Sequence, residues 1–122
     1  MTLQEALRQQ KKPKYGNHRI ETPDGNFDGE AEFRHWNELK LLQMAGGITD
    51  LRRQVPFTLI PSQKGADGKV IEYPVKYIAD FVYKENGETV VEDVKGYKTP
   101  EYIIKRKLML KVHGIRIKEV NV

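Results

Sequence analysis

The sequence predicts an α/β domain, and three observations carry that prediction. Apolar residues recur at helical spacing between Asp28 and Gly46, where Phe33, Trp36, Leu39 and Leu42 share one face. Three stretches between Thr49 and Lys95 are rich in β-branched and aromatic residues, and the last two flank Asn86-Gly87, a strong hairpin signal. A second helical stretch opens at Thr99-Pro100 and gives way to an alternating segment near the end of the sequence. The predicted order is helix, three strands, helix, strand. With 122 residues the chain can hold one modest core, so binding surface and chemistry must share it.

Taken in order, Thr2 to Gln10 suits a short helix, and the Lys-Lys-Pro-Lys-Tyr-Gly-Asn stretch after it has the composition of a basic arm. Residues 1–19 are read as this arm and residues 20–122 as a single domain. His18 to Thr22 predicts a short strand and Pro23-Asp24-Gly25-Asn26 a turn, because proline presets φ and glycine accepts a positive one. Asp28 is placed to cap a helix from Gly29 to about Ala45, which Gly46-Gly47 ends. Glu32 falls within the apolar face of that helix, whereas Glu30 and Glu38 flank it. Thr49 to Pro61 predicts a strand and Ser62 to Gly68 a loop. Val70 to Tyr83 and Glu88 to Lys95 predict two more strands, with Pro74 marking an edge or bulge in the first. Thr99 is the expected cap of the second helix, Gly114 its stop, and Ile115 to Val120 the last strand.

Composition excludes several classes of function. There is no cysteine, which removes disulfides, thiolate metal sites and cysteine nucleophiles. No apolar run is long enough for a membrane span and Met1 to Gln10 carries charges, so a cytoplasmic protein with no membrane partner is expected. Lysine and arginine outnumber aspartate and glutamate 21 to 17, which favours a polyanionic partner. The basic residues gather near the two ends, from Lys11 to Arg19 and from Lys105 to Lys118. Two solvated charged surfaces explain that distribution as well as phosphate binding does.

The chemistry lies in the paired strands. Asp93 and Lys95, two residues apart in a strand, project to one face. Asp80 interrupts the apolar run Ile78-Ala79-Asp80-Phe81-Val82, where an unpaired carboxylate would be costly to bury. A hairpin turning at Asn86-Gly87 sets Asp80 and Asp93 nearly opposite one another. Two adjacent carboxylates repel unless a proton or a divalent cation sits between them. Oxygen ligands without cysteine point to Mg²⁺ or Mn²⁺ rather than zinc. Glu32, directed from the helix toward the sheet, can add a further ligand directly or through water, and Lys95 can orient the attacking water. Each residue has a plainer explanation: a surface ion pair for Asp93 and Lys95, an arginine partner for Asp80, a helix-turn pair with His35 or Lys40 for Glu32. Gln54 reads as a hydrogen-bonded polar group of the core rather than a ligand.

The pattern resembles the PD-(D/E)XK nuclease superfamily over about Phe27 to Val120. Asp80 corresponds to its first acidic residue and Asp93-Val94-Lys95 to its acidic-x-lysine. The Phe-Asp-Gly-Glu-Ala-Glu-Phe opening of the first helix is similar to that of Holliday-junction resolvases, with Glu32 the matching position. Ala79 stands where the superfamily name writes proline. Val-Glu-Asp-Val-Lys-Gly-Tyr-Lys-Thr and the later Lys-x-Lys-Leu helix resemble small phage and prophage nuclease-like proteins.

The resemblance implies a restriction-endonuclease-like αβββαβ core with a central mixed sheet flanked by helices. It implies a DNA endonuclease with Glu32, Asp80, Asp93 and Lys95 as catalytic residues. Asp80, Asp93, the backbone carbonyl of Val94 and Glu32 would hold the metal. Lys98 just after the motif, and Lys105 and Lys107 on the second helix, are candidate DNA contacts, although a solvated surface accounts for them equally. So small a chain has little spare surface for reading base edges, which favours recognition of shape, such as branched DNA, in phage recombination or DNA processing. Two symmetric cuts imply a homodimer, and the apolar residues around the second helix agree with one. A DNA-binding module that no longer cuts is the alternative.

Overall fold

The computed structural model describes residues 19–95 and 97–121. The expected helix at Thr2–Gln10 and nearly all of the basic arm lie outside these residues. The chain divides into two compact units that part between Asn37 and Glu38.

In the first unit, strands β1 (Ile20–Thr22) and β2 (Gly25–Phe27) form an antiparallel hairpin. The predicted turn thus joins two strands, where the sequence suggested only the first. Thr22 organises the turn: its Oγ1 accepts the Asp24 N–H at 3.2 Å and donates to the Gly25 carbonyl at 2.8 Å. Helix α1 (Glu30–Met44) begins one residue later than expected and starts in this unit. Phe27 is buried, with its ring 5.0 Å from Phe33 and 6.4 Å from Trp36. The Trp36 indole N–H donates to Asp24 at 3.0 Å. These contacts clamp the hairpin to the first turns of the helix.

The second unit opens with the rest of α1, which ends as the two glycines require. Gly46, at φ 84°, donates to the Gln43 carbonyl and Gly47 to that of Leu42, a Schellman arrangement that satisfies the last carbonyls. Leu39 is buried but Leu42 is 48% exposed, so the apolar face stops short of the last turn. Gln43 Oε1 accepts the Leu51 N–H at 2.9 Å and ties that turn to the next strand.

A four-stranded mixed sheet follows, in the order β3 (Thr49–Ile60), β6 (Val75–Glu85), β7 (Glu88–Val94), β8 (Lys118–Val120). The first three are antiparallel and β8 runs parallel to β7. Pro56 is tolerated because β3 is an edge strand. Two expectations need correction here. The region 62–68 contains a short strand, β4 (Gln63–Lys64), which pairs with β5 (Val70–Glu72). The single strand expected over 70–83 is divided at Tyr73-Pro74: proline has no N–H for the ladder, and the chain changes partner from β4 to β3 there.

Asn86 and Gly87 form the turn between β6 and β7 with φ of 53° and 79°, the paired positive values that a tight two-residue hairpin needs. Helix α2 (Pro100–Leu108) has Thr99 as its cap, whose Oγ1 accepts the Tyr102 N–H at 3.1 Å. A π-helical segment (Met109–His113) continues it and ends at Gly114, φ 68°. The final strand is shorter than expected. Ile115 and Ile117 pack on the core, and only residues 118–120 pair with β7. Leu59, Tyr77, Ala79, Val82, Val91, Tyr102, Met109 and Ile117 form that core, which joins α2 to the sheet. No helix among the described residues is long and apolar enough to cross a membrane.

Candidate functional site

The register of β6 and β7 places the site. Pairing runs unbroken from Glu85↔Glu88 to Phe81↔Glu92, and one further step sets Asp80 opposite Asp93. The ladder stops there. Asp80 Oδ2 accepts the Val94 N–H at 2.8 Å, so a side chain takes the role a backbone carbonyl would have. On the other side of β6, Gln54 stands between the paired positions Arg53↔Phe81 and Val55↔Ala79 in a left-handed conformation, φ 53°. For a non-glycine residue that backbone is uncommon and costs energy. Gln54 is exposed rather than in the core as expected, and its amide lies 3.4 Å from Asp80 Oδ1.

Tyr77, Ala79 and Phe81 alternate as buried positions of β6, and Val82 and Tyr83 beyond them are buried as well. The register against β3 runs unbroken past Asp80, from Arg52↔Val82 to Thr58↔Lys76, so Gln54 stands opposite Asp80.

Asp93 is 2% exposed. Its Oδ2 accepts a short hydrogen bond from the Tyr77 hydroxyl, and Lys95 Nζ lies 3.0 Å from Oδ1. The Lys95 contact is an ion pair without aligned hydrogen-bond geometry, which leaves Oδ1 a buried acceptor with no aligned donor. Lys95 also lies over the Tyr102 ring, 4.2 Å from its centroid. Asp80, Asp93 and Lys95 line one cleft of about 300 Å³, walled by Tyr77 and Tyr102 and edged by Lys105.

Both carboxylates act on the walls. Burial raises the Tyr77 hydroxyl above the usual tyrosine range, reinforced by its bond to Asp93 and by the charges of Asp93 and Asp80. Burial also raises Tyr102, with Asp93, Glu119 and Asp80 adding to the shift and Arg106 opposing it. Both are neutral near pH 7.

The structure therefore brings Asp80, Asp93 and Lys95 together. Val94 adjoins them through its backbone. Glu32 belongs to the first unit, where it is 6% exposed and accepts the Asp28 N–H at 3.2 Å. Among the described residues, no group of three or more His, Cys, Asp or Glu side chains is placed to hold a metal ion. Lys105 pairs with Glu101 at 3.1 Å, Lys98 with Glu119 at 2.8 Å, and Lys107 is exposed on α2. Tyr77 and Tyr102 were absent from the sequence expectation. Tyr77, three residues before Asp80 in a strand, reads as an ordinary core aromatic, and Tyr102 shares a cleft with Lys95 only once α2 is packed on the sheet.

Glu92, next to Asp93, has different partners. It accepts a short hydrogen bond from the Tyr83 hydroxyl and lies 3.8 Å from Lys118 Nζ. This agrees with the strand alternation that separates it from Lys95.

No curated protein and no solved structure matches the chain. A family model described as "Protein of unknown function (DUF1064)" matches residues 12–121, nearly the whole length, and the chain belongs to that family.

Proposed function

We propose that this cleft is the active centre of a DNA endonuclease that hydrolyses phosphodiester bonds with the help of Mg²⁺ or Mn²⁺. One observation carries the reading: carboxylates from adjacent strands, Asp80 and Asp93, line a single cleft with Lys95. The donor set fits a hard cation, being all oxygen, and the buried Asp93 Oδ1 has no aligned donor. Asp80, Asp93 and the Val94 carbonyl would hold the ion. A bound ion would supply Lewis acidity, which makes water more acidic and offsets charge on the phosphate. The chain's own groups do the rest. Tyr77 fixes the Asp93 carboxylate, Lys95 places a positive charge where a phosphate oxygen would lie, and Lys105 extends that field along the cleft.

The succession α1, β3, β6, β7, α2, β8 supports reading the fold as a restriction-endonuclease-like αβββαβ core, with the β1–β2 and β4–β5 hairpins as additions. Branched DNA is the substrate this small surface suits best. A homodimer making paired cuts is part of the proposal, and the half-exposed Ile104, Leu110 and Val112 are apolar surface for it. A cytoplasmic setting in a bacterial host, encoded by phage or prophage, completes the reading. One observation favours the second reading, a DNA-binding module that does not cut: among the described residues no three acidic or histidine side chains are grouped so as to hold a metal ion.

Cleavage of branched and linear DNA, with Mg²⁺ or with EDTA, separates the two. The endonuclease reading expects metal-dependent cleavage that falls about 100-fold or more in Asp93→Asn and Lys95→Ala while DNA binding persists. Binding that ignores EDTA, with no cleavage by any form, would establish the module instead.

A further inference from the structure

Lysine carries its charge on a flexible four-carbon stem, so its ammonium must be held if it is to act at one point. In the cleft, Lys95 Nζ is 3.0 Å from Asp93 Oδ1 and 4.2 Å from the centre of the Tyr102 ring. The ring face, negative by its quadrupole, and the carboxylate hold the ammonium from two sides. Tyr102 is itself fixed: it is 5% exposed, and its backbone N–H is the one the Thr99 cap accepts. The Arg106 guanidinium carbon lies 6.0 Å from the same ring, and Arg106 is held at 2.8 Å by Glu119. The Tyr77 ring, whose hydroxyl bonds Asp93, is 6.4 Å from that of Tyr102. Two tyrosines thus hold the two charges, one by its hydroxyl and the other by its ring.

The Tyr102 hydroxyl contributes nothing comparable. It is buried and meets no hydrogen-bond partner among the described residues, which is a penalty for the folded state. Its value to the site lies in the ring face.

We propose that Tyr102 is a positioning residue, its ring seating the Lys95 ammonium against Asp93 so that it meets the substrate phosphate from one direction. The catalytic consequence rests on the endonuclease reading, but the seating does not.

Two measurements test it. In DNA cleavage, Tyr102→Leu lowers kcat about tenfold with little change in KM, Tyr102→Phe restores the rate, and Tyr102→Leu adds no loss to Lys95→Ala. An unchanged kcat in Tyr102→Leu, or the same loss in the Lys95→Ala background, overturns the positioning role. Independently of activity, NMR of the wild-type protein should show the Lys95 ε-methylene protons shifted upfield by the ring, a shift kept in Tyr102→Phe. An unshifted resonance in the wild type overturns the seating, and this comparison decides alone if Tyr102→Leu fails to fold. If the wild type cuts no DNA, the endonuclease reading fails while the NMR shift still decides whether the ring holds the lysine.

Discussion

Glu92 and Asp93 are neighbours in one strand, both buried, each bonded to the hydroxyl of a β6 tyrosine, and each near a lysine. Only Asp93 lines the cleft with a second carboxylate and an ammonium. Burial and a tyrosine bond are thus equally compatible with a structural anchor. What distinguishes Asp93 is convergence: the unbroken register of β6 and β7 sets Asp80 opposite it and brings another acid to the same cleft.

The largest expected contrast is in catalysis. Asp93→Asn and Asp80→Asn should each lower DNA cleavage about 100-fold or more, whereas Glu92→Gln leaves turnover per folded molecule within about threefold. Rates normalised to the folded fraction, measured by circular dichroism, check this. Equal losses at positions 92 and 93 would erase the distinction.

Stability should treat the pair alike. Tyr83→Phe and Tyr77→Phe each remove a donor from a buried carboxylate and should cost about 1–3 kcal/mol in urea unfolding. Only Tyr77→Phe should also slow cleavage.

Alkaline pH probes the same tyrosines together. Burial comes first in raising Tyr77, Tyr83 and Tyr102, followed by the bond to Asp93 for Tyr77, the bond to Glu92 for Tyr83 and the Asp93 charge for Tyr102. A raised folded value means that the stability is present below the unfolded tyrosine value and is lost as pH rises above it. The melting temperature should therefore fall above about pH 10, with phenolate absorbance from these side chains appearing only as the chain unfolds.

The smallest effect concerns Glu119, which ties Lys98 and Arg106 to β8. Its bonds to Lys98 and Arg106 hold its carboxyl below the usual glutamate range, against a smaller opposing effect of burial. That contribution is present above about pH 4.3 and is lost as pH falls below it toward the folded value, so Glu119→Gln should cost about 1 kcal/mol at pH 7 and less in acid.

Much of the site was legible because β geometry is countable. The Asn86-Gly87 turn fixes a register, the register sets Asp80 against Asp93, and alternation separates Glu92 from Lys95. Glu32 was legible as a buried helix position by its phase, though not its bond to the Asp28 N–H, which depends on how the chain enters α1. Tyr102 was hidden because its place over Lys95 depends on how α2 packs on the sheet, a tertiary matter that local pattern does not encode. The short hairpins escaped for a different reason: two or three residues cannot display a period. Pro74 announced an irregularity correctly, but the exchange of partners from β4 to β3 is long-range information.

Whether the cleft takes a divalent ion is tested most directly by titrating Mn²⁺ into isotope-labelled protein and following amide broadening by NMR. The expected result is that Asp80, Asp93 and Val94 broaden first, and that Asp93→Asn abolishes the effect. Broadening centred elsewhere, or unchanged by Asp93→Asn, would contradict the account.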